Sequence, residues 1–397
     1  MKDLYIDGNW TEARSGATAN TLDPSDASVL ATVADAGPPD VDLAVTAARR
    51  AFDTGVWPRT AARERGKALL RIAELLQRDR AEIARAESRD TGKTLAEGGM
   101  DVDDVTALFR YYGGIAGTHA GRVVDAGDPD VVSRIVHEPV GVCSLIAPWN
   151  YPLLQISWKI APALAAGNTM LIKPSELTPL TTIKLVALTE EAGVPAGVVN
   201  LLLGRGDTVG AAMVEDPRVD LISFTGGLHT GEKIMAAAAK GVRRVALELG
   251  GKNPNVIFDD ADFDTAVDYA LAAAFLHSGQ VCSAGSRLIV QDGIHDRFVD
   301  ELAARASKIQ LGNGLDPTTE AGPLISAEHR AKVERYVAGA VTAGATLVTG
   351  GIRPEEPALA AGFFLRPTVF TGCTREMAVV RHEVFGPVVT VERFGSE

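Results

Sequence analysis

Cys282 stands in the run Gly279-Gln-Val-Cys-Ser-Ala-Gly285, where small neighbours would let a carbonyl compound come close to its sulfur. A thiolate in that setting can attack the carbonyl carbon. Taken alone, a free cysteine is more often a core residue, so the surrounding motifs have to decide. Val245-Ala-Leu-Glu-Leu-Gly-Gly251 puts Glu248 inside an apolar, strand-like run that ends in two glycines. Burying a carboxylate there without a role is costly, and burial would raise its pKa as a general base needs. On an edge strand the same residue reads as a surface glutamate. Pro148-Trp-Asn-Tyr-Pro152 sets Asn150 just past a strand's end, where its amide can donate to an oxyanion or simply close a turn.

A second theme is nucleotide chemistry. The strict G-x-G-x-x-G fingerprint is absent after the expected strands. In its place stand Gly204-Arg-Gly-Asp-Thr-Val-Gly210 and Phe224-Thr-Gly-Gly-Leu-His-Thr-Gly231, each an ordinary glycine turn by itself. Together they put glycine-rich turns at the carboxyl ends of adjacent elements, where open parallel sheets bind nucleotides. Lys173-Pro-Ser-Glu176 sits at another such end. Glu176 there would accept from a ribose diol and repel a 2′-phosphate, which favours NAD over NADP.

The elements that must position these residues follow from periodicity. From Val140 onward, strand-like runs alternate with helix-like segments, the pattern of a parallel sheet covered by helices. Strands are expected at Val140 to Ile146, Thr169 to Ile172, Val198 to Leu203, Val219 to Phe224 and Val242 to Leu249. Between the second and third, Thr178 is the expected helix cap with Pro179 at the first position and Gly193 ending the helix. A second series comprises a strand at Asn255 to Phe258, a helix at Phe263 to Phe275 capped by Asp262, a strand at Ser286 to Gln291 and a helix through Ile294 to Lys308. Gly250-Gly251 is the expected domain junction. The first 120 residues read as mostly helical, with Leu69, Leu70, Ile72, Leu75 and Leu76 at helical spacing, and Arg122 to Glu138 reads as an extended arm. The run Pro387 to Phe394 reads as a buried strand.

With 397 residues and 46% hydrophobic composition, the chain can bury a large core. A net charge of -12 disfavours nucleic acid and anionic membrane surfaces as partners. The N-terminus lacks a secretory layout and no apolar run approaches bilayer length. An odd count of three cysteines, Cys143, Cys282 and Cys373, argues against a disulfide framework and for a reducing compartment, so the cytoplasm is the expected location.

Six segments, Pro148-Trp-Asn-Tyr-Pro152, Lys173-Pro-Ser-Glu176, Phe224-Thr-Gly226, Glu248-Leu-Gly-Gly-Lys252, Gly279-Gln-Val-Cys282 and Glu383-Val-Phe-Gly-Pro387, resemble in order and spacing the motifs of the aldehyde dehydrogenase superfamily. The resemblance covers the whole chain. It implies an α/β fold with two Rossmann-like parallel-sheet domains plus a small extended oligomerisation arm: residues 1–121 and 140–249 binding NAD, 122–139 forming the arm, and 250–397 forming the catalytic domain. It implies NAD(P)-dependent oxidation of an aldehyde to a carboxylic acid through a cysteine thioester, with Cys282 as nucleophile, Glu248 as general base and Asn150 as oxyanion donor, and with no metal. Lys173 and Glu176 would meet the adenosine ribose, Gly226 and Gly227 the pyrophosphate, and Glu383 the nicotinamide ribose with Phe385 beside the ring. Trp149 would form a pocket wall, and Ala147, Pro148, Ser175, Gly206 and Gly250 complete the implied cofactor set.

Members of this superfamily continue past the point where this chain stops, so the resemblance implies a further C-terminal segment that completes the catalytic domain and pairs with the arm. A homo-dimer or homo-tetramer is expected of the full length. The stretches around Cys282 and from Tyr151 to Lys159 are most similar to the betaine aldehyde dehydrogenases. Tyr151 and Trp158, seven apart, would fall about 20° from eclipsed on a helix and offer two aromatic faces to a quaternary ammonium. An apolar aldehyde tunnel uses aromatics in the same way, and Leu276, where some relatives carry a further aromatic, weighs against the cation. Lys159 matches a lysine of a proton relay in that subfamily. Two other readings are an inactive cofactor-binding or structural relative of the same fold, and a cysteine hydrolase pairing Cys282 with His277. The hydrolase would leave Lys173-Pro-Ser-Glu176 and both glycine turns without a purpose.

Overall fold

The structure is a computed structural model that describes residues 3–118 and 120–396. The chain forms two compact units, one from Met1–Thr21, Ala31–Ile83 and Gly99–Glu248, the other from Leu22–Leu30, Ala84–Gly98 and Leu249–Glu397. The second unit thus recruits two short segments from the first quarter of the chain, beyond the 250–397 expected from sequence.

The first unit is built on a seven-stranded sheet in the spatial order Arg244–Leu249, Leu221–Gly226, Val142–Ile146, Thr169–Lys173, Val199–Leu201, Leu4–Ile6, Asn9–Thr11. Val142–Ile146 runs parallel to both neighbours, with Ile146 opposite Lys173 on one side and Phe224 on the other. Every residue of Val142–Ile146 and Thr169–Lys173 is buried. Such continuous apolar runs mark strands covered on both faces. Later strands are added first to one side of Val142–Ile146 and then to the other. That reversal creates the crevice in which open α/β sheets bind ligands.

Two helix boundaries bear on the site. Pro152–Ala166 begins with proline at its first position and ends at Gly167, whose φ of 90° takes the left-handed turn that closes a helix. The next helix, Leu180–Glu191, differs from expectation. Pro179, and not Thr178, occupies the cap position, because the Thr178 hydroxyl instead donates to the carbonyl of Trp149 at 3.1 Å.

The first 120 residues are mostly helical, as expected, with short strands ahead of the helices that were not expected. Strands Leu4–Ile6, Asn9–Thr11, Thr18–Leu22 and Val29–Ala34 precede the helices Pro38–Asp53, Ala62–Arg78, Arg80–Thr91 and Leu95–Ile115. Strands of three residues are too short to show alternation, and Tyr5 finds its antiparallel partner in the distant Leu201. On Ala62–Arg78, Leu69, Ile72, Leu75 and Leu76 are buried and Leu70 is exposed. Arg122–Asp125 and Val132–Ile135 pair as an antiparallel two-stranded ribbon.

The second unit carries a five-stranded sheet ordered Pro254–Ile257, Arg287–Gln291, Val388–Phe394, Thr368–Thr371, Thr346–Thr349. Its first four strands are parallel and the last is antiparallel. The helix Phe263–Phe275 is capped by Asp262, whose carboxylate accepts from the Thr265 N–H at 2.9 Å. With His295–Ala306 it covers a core of Leu288, Val290, Phe298, Leu302 and Val391. Each such side chain contributes about 1.5–3 kcal/mol on burial. Among the described residues, no helix is long and apolar enough to cross a membrane.

Candidate active site

In the first unit a cavity of about 540 Å³ lies at the carboxyl ends of the parallel strands, lined by Ile146, Glu176, Gly206, Phe224, Thr230 and Lys233 among others. That volume lies within the range of cofactor pockets. Lys173, the last residue of its strand, is buried, and its ammonium donates to the carbonyl of Pro174 at 3.1 Å and to Glu176 Oε2 at 3.5 Å. Burial pushes the Lys173 ammonium below the usual lysine range, and the Glu176 carboxylate opposes that shift. The Glu176 side chain keeps 44% exposure, so it lines the cavity while remaining open to a ligand. Ser175 shapes the same turn by accepting from the Leu177 N–H at 3.2 Å.

Two glycines on the far side leave room for an anion. Gly227 caps the 12-residue helix Leu228–Ala239, and nothing lies within 4 Å of where its Cβ would be. The space at Gly206, which opens the turn Gly206–Gly210, is equally clear. A helix N-terminus with open space before it offers backbone N–H groups and a favourable dipole to phosphate. Gly226 has a different reason: a Cβ there would sit 2.4 Å from the Phe224 ring. Lys233, one helical turn inside Leu228–Ala239, carries no motif, and the rim pair Arg205–Asp207 lies within the Gly204–Gly210 turn without being singled out there.

The turn Ala147–Tyr151 joins the strand Val142–Ile146 to the helix Pro152–Ala166. The Ala147 N–H bonds the Lys173 carbonyl at 3.0 Å, Pro148 and Trp149 are half-buried, and Asn150 is buried. Tyr151 is the residue before the helix, at φ -135° and ψ 62°, so the helical spacing expected between Tyr151 and Trp158 does not hold. Trp158 lines a cavity of about 500 Å³ with Leu145, Lys159, Ser223 and Glu248, and Tyr151 is not part of that lining. Lys159 is buried and donates to Thr225 Oγ1 at 2.7 Å and Ser223 Oγ at 3.2 Å. Burial pulls its pKa down to about 8, and the Glu248 carboxylate works against that pull.

Glu248 itself corrects an expectation. Its strand, Arg244–Leu249, is the edge of the sheet, and Glu248 is exposed. The burial from which a raised basicity was argued is absent, because alternate residues of an edge strand face outward and Glu248 falls on the outward set.

In the second unit the Cys282 loop is held from both sides. Cys282 is half-buried, and Asn253 Nδ2 donates to its carbonyl at 2.8 Å and to that of Ala284 at 3.3 Å. Before it, His277 and Ser278 take left-handed backbone at φ 47° and 54°. A non-glycine residue there costs on the order of 1–2 kcal/mol. Gly279 follows at φ 71°, and a Cβ on it would lie 2.2 Å from the Gly386 carbonyl. The glycine before the cysteine is therefore required by backbone packing, beyond any need to admit substrate. Asn253, next to the Glu248-Leu-Gly-Gly-Lys252 motif, is a residue the sequence reading missed.

Gly250 and Glu383 form a cradle in the same unit. A Cβ at Gly250 would stand 2.1 Å from Glu383 Oε2, so only glycine leaves room for that carboxylate. Glu383 Oε1 is buried with no hydrogen-bond partner among the described residues, and burial raises the Glu383 pKa. An unfilled acceptor of this kind suits the hydroxyl of a ribose. Phe385, two residues on, is left-handed at φ 63°, and its carbonyl lies 2.6 Å from His329 Nε2.

A sequence profile of the aldehyde dehydrogenase family matches residues 10–397. The chain is 57% identical over 394 residues to the betaine aldehyde dehydrogenase of Bacillus subtilis (strain 168), covering 99% of this chain and 80% of that protein. It is 42% identical over 394 residues to human (Homo sapiens) retinal dehydrogenase 2, covering 98% of this chain and 75% of the relative. Its structure matches that of betaine aldehyde dehydrogenase from Staphylococcus aureus in complex with NAD+ at a TM-score of 0.99 and 51% identity, over 100% of this chain and 79% of that one. The chain belongs to the aldehyde dehydrogenase family. It is an NAD-dependent enzyme that oxidises an aldehyde to a carboxylic acid, on the α/β fold with two Rossmann-like sheets that the family shares.

Proposed function

We propose that Cys282 carries the reaction as a thiolate that adds to the aldehyde carbon, with Asn150 donating its amide N–H to the oxyanion so formed. Bound NAD supplies the hydride acceptor. Loss of hydride from the hemithioacetal carbon leaves an acyl thioester on Cys282. Glu248 then takes a proton from a water that attacks the thioester, releasing the acid and the thiolate. Lys159 then passes that proton on, a role supported by its pKa near 8 and by its lining one cavity with Glu248.

The observation that carries the cofactor assignment is the orphaned Glu383 Oε1 beside a glycine whose missing Cβ makes its space. Glu383 and Gly250 hold the nicotinamide ribose, with Phe385 against the ring. Lys173, Ser175 and Glu176 hold the adenosine ribose, Ala147, Pro148 and Trp149 wall the pocket, and Gly206, Gly226 and Gly227 face the pyrophosphate. Glu176 would lie against a 2′-phosphate, so kcat/KM should favour NAD over NADP by about tenfold or more, equivalent to 1.4 kcal/mol. Glu176→Gln should narrow the gap, and a tenfold preference for NADP in the unaltered protein would remove the argument.

For the aldehyde, betaine aldehyde is the substrate we propose. Support comes from the 57% identity to the Bacillus subtilis betaine aldehyde dehydrogenase, against 42% to retinal dehydrogenase 2, and from the half-exposed indole of Trp158 beside the Glu248 carboxylate. A cation over an aromatic face gains about 0.5–2 kcal/mol. Betaine aldehyde should therefore exceed its neutral carbon isostere, 3,3-dimethylbutanal, by roughly 2- to 30-fold in kcat/KM. Equal values, read from the absorbance of reduced cofactor, would show that the pocket does not recognise the charge.

The ribbon Arg122–Asp125 and Val132–Ile135 is proposed as the oligomerisation arm of a homo-dimer or homo-tetramer. Val123 is 77% and Val132 74% exposed, and a lone two-stranded ribbon is marginal in water without a partner surface. A cytoplasmic location is proposed from the cysteine usage. In this reading the first unit holds the adenosine ribose and pyrophosphate of NAD, and the second holds its nicotinamide ribose and carries the nucleophile.

A further inference from the structure

The loop bearing Cys282 starts with two consecutive left-handed residues that are not glycine, His277 and Ser278. Such a pair persists only where its surroundings fix it. Most of the fixing bonds come from the second half of the chain. The Ser278 hydroxyl donates to the Gly322 carbonyl at 2.6 Å, Gln280 Nε2 donates to the carbonyls of His277 at 3.1 Å and Pro323 at 3.3 Å, and Gln280 Oε1 accepts from the Ile325 N–H at 2.9 Å. One bond comes from 180 residues away: Glu97 Oε1 accepts the peptide N–H of His277 at 2.8 Å.

Glu97 belongs to a helix cap. Thr94 precedes the helix Leu95–Ile115, and its hydroxyl oxygen accepts the Glu97 N–H at 3.2 Å. Glu97 Oε2 in return accepts the Thr94 N–H at 2.7 Å and the Thr94 hydroxyl at 2.8 Å. This is the reciprocal capping box, which a glutamine at the same position could complete with its single carbonyl oxygen. Glu97 is buried, where a charge is costly and a neutral cap would be cheaper. The charge is accounted for by the second oxygen. Only a carboxylate presents acceptors in both directions, one to the cap and one to His277.

We infer that Glu97 is a positioning residue for Cys282, acting through the His277 peptide N–H to hold the left-handed turn from which the thiol is presented. The inference rests on the reading of Cys282 as nucleophile. In Glu97→Gln the side chain must give up one acceptor, and an N–H turned toward either the cap or His277 repels the donor there. The turn then relaxes and the sulfur moves.

The test uses the full chain and four proteins: unaltered, Glu97→Gln, Thr94→Ala and Cys282→Ala. Thr94→Ala weakens the same helix cap but leaves the Glu97–His277 bond, so it controls for helix stability. Iodoacetamide alkylation of Cys282, followed by peptide mapping, and kcat should both fall about tenfold to hundredfold in Glu97→Gln. KM for NAD should stay within about twofold, and Thr94→Ala should alkylate at the unaltered rate even where its melting temperature drops as far. In the unaltered protein, hydrogen exchange should find the His277 amide protected. Equal alkylation and kcat in folded Glu97→Gln, an equal loss in Thr94→Ala, or a fast-exchanging His277 amide would each overturn the inference. An unaltered protein whose Cys282 stays unlabelled, or a fully active Cys282→Ala, would overturn the nucleophile reading and this inference with it.

Discussion

Glu248→Gln is expected to give a fast burst of reduced cofactor, close to one per active site, followed by slow turnover. In the proposed sequence Glu248 is needed when water attacks the thioester and not when hydride leaves, so the first half-reaction survives its loss. Removing one general base lowers a rate by roughly 10²- to 10⁴-fold, and the steady state should fall by that factor, with acyl-enzyme on Cys282 visible by intact mass. The exposure of Glu248 on an edge strand suits a base that must exchange its proton with solvent each cycle. The substitution also acts on its neighbour. The Glu248 charge holds the Lys159 pKa up against burial, so without it Lys159 loses its proton below the present value of about 8. Residual turnover that climbs as pH rises toward 8 would then identify neutral Lys159 as the substitute base. Turnover near the unaltered rate would return Glu248 to a surface glutamate. Absence of a burst with normal NAD binding would make it the group that deprotonates Cys282.

The parts of the fold legible in the sequence are those whose signal is local. Val142–Ile146 and Thr169–Lys173 are apolar on both faces and bounded by glycine and proline, so their ends fall within two residues of expectation. Asp262 caps its helix as its side-chain chemistry requires. Bonds between distant segments left no such trace. Tyr5 joins Leu4–Ile6 to the distant Leu201, and Thr178 fails as a cap because Trp149 offers its hydroxyl a carbonyl. Glu248 shows the limit of reading burial from composition: an apolar run on the edge of a sheet looks the same in sequence as one in its centre. For Tyr151 and Trp158, one residue's displacement of the helix start was enough to void an argument from helical spacing. The site motifs sit at strand ends and turns, where residue type is dictated by backbone geometry. Gly279 and Gly250 are examples, each fixed by an atom about 2 Å from its absent Cβ. Their partners, Gly386 and Glu383, lie more than a hundred residues on, and nothing in the sequence joins them.

Cys282→Ala is expected to abolish both the burst and the steady state, and to remove the fast phase of alkylation by iodoacetamide. Cys143→Ala and Cys373→Ala should leave both intact. The contrast rests on how the other two thiols are placed. Cys143 lies in the buried strand Val142–Ile146, where burial, helped by the charge of Asp220, pushes its pKa up to about 12. Cys373 is half-buried, and burial with the nearby Glu392 charge raises it to about 11 against the pull of Lys252. At pH 8 such thiols are ionised to only ~10⁻⁴ and ~10⁻³ respectively, and the thiolate is the form that reacts. Cys282 sits half-buried in a turn outside any strand or helix, and Asn253 holds that turn by its carbonyl. Peptide mapping after brief exposure should therefore find Cys282 labelled well before the others, at a rate that saturating aldehyde and NAD suppress by occupying the sulfur as thioester. Labelling of Cys143 first, with Cys282 untouched, would be incompatible with the strand burial of the one and the nucleophilic role of the other. A Cys282→Ala protein that still reduced NAD with aldehyde would require hydride to leave an aldehyde hydrate without covalent attachment. Glu248 would then have to act on that hydrate, and the slow phase seen in Glu248→Gln would carry no acyl-enzyme.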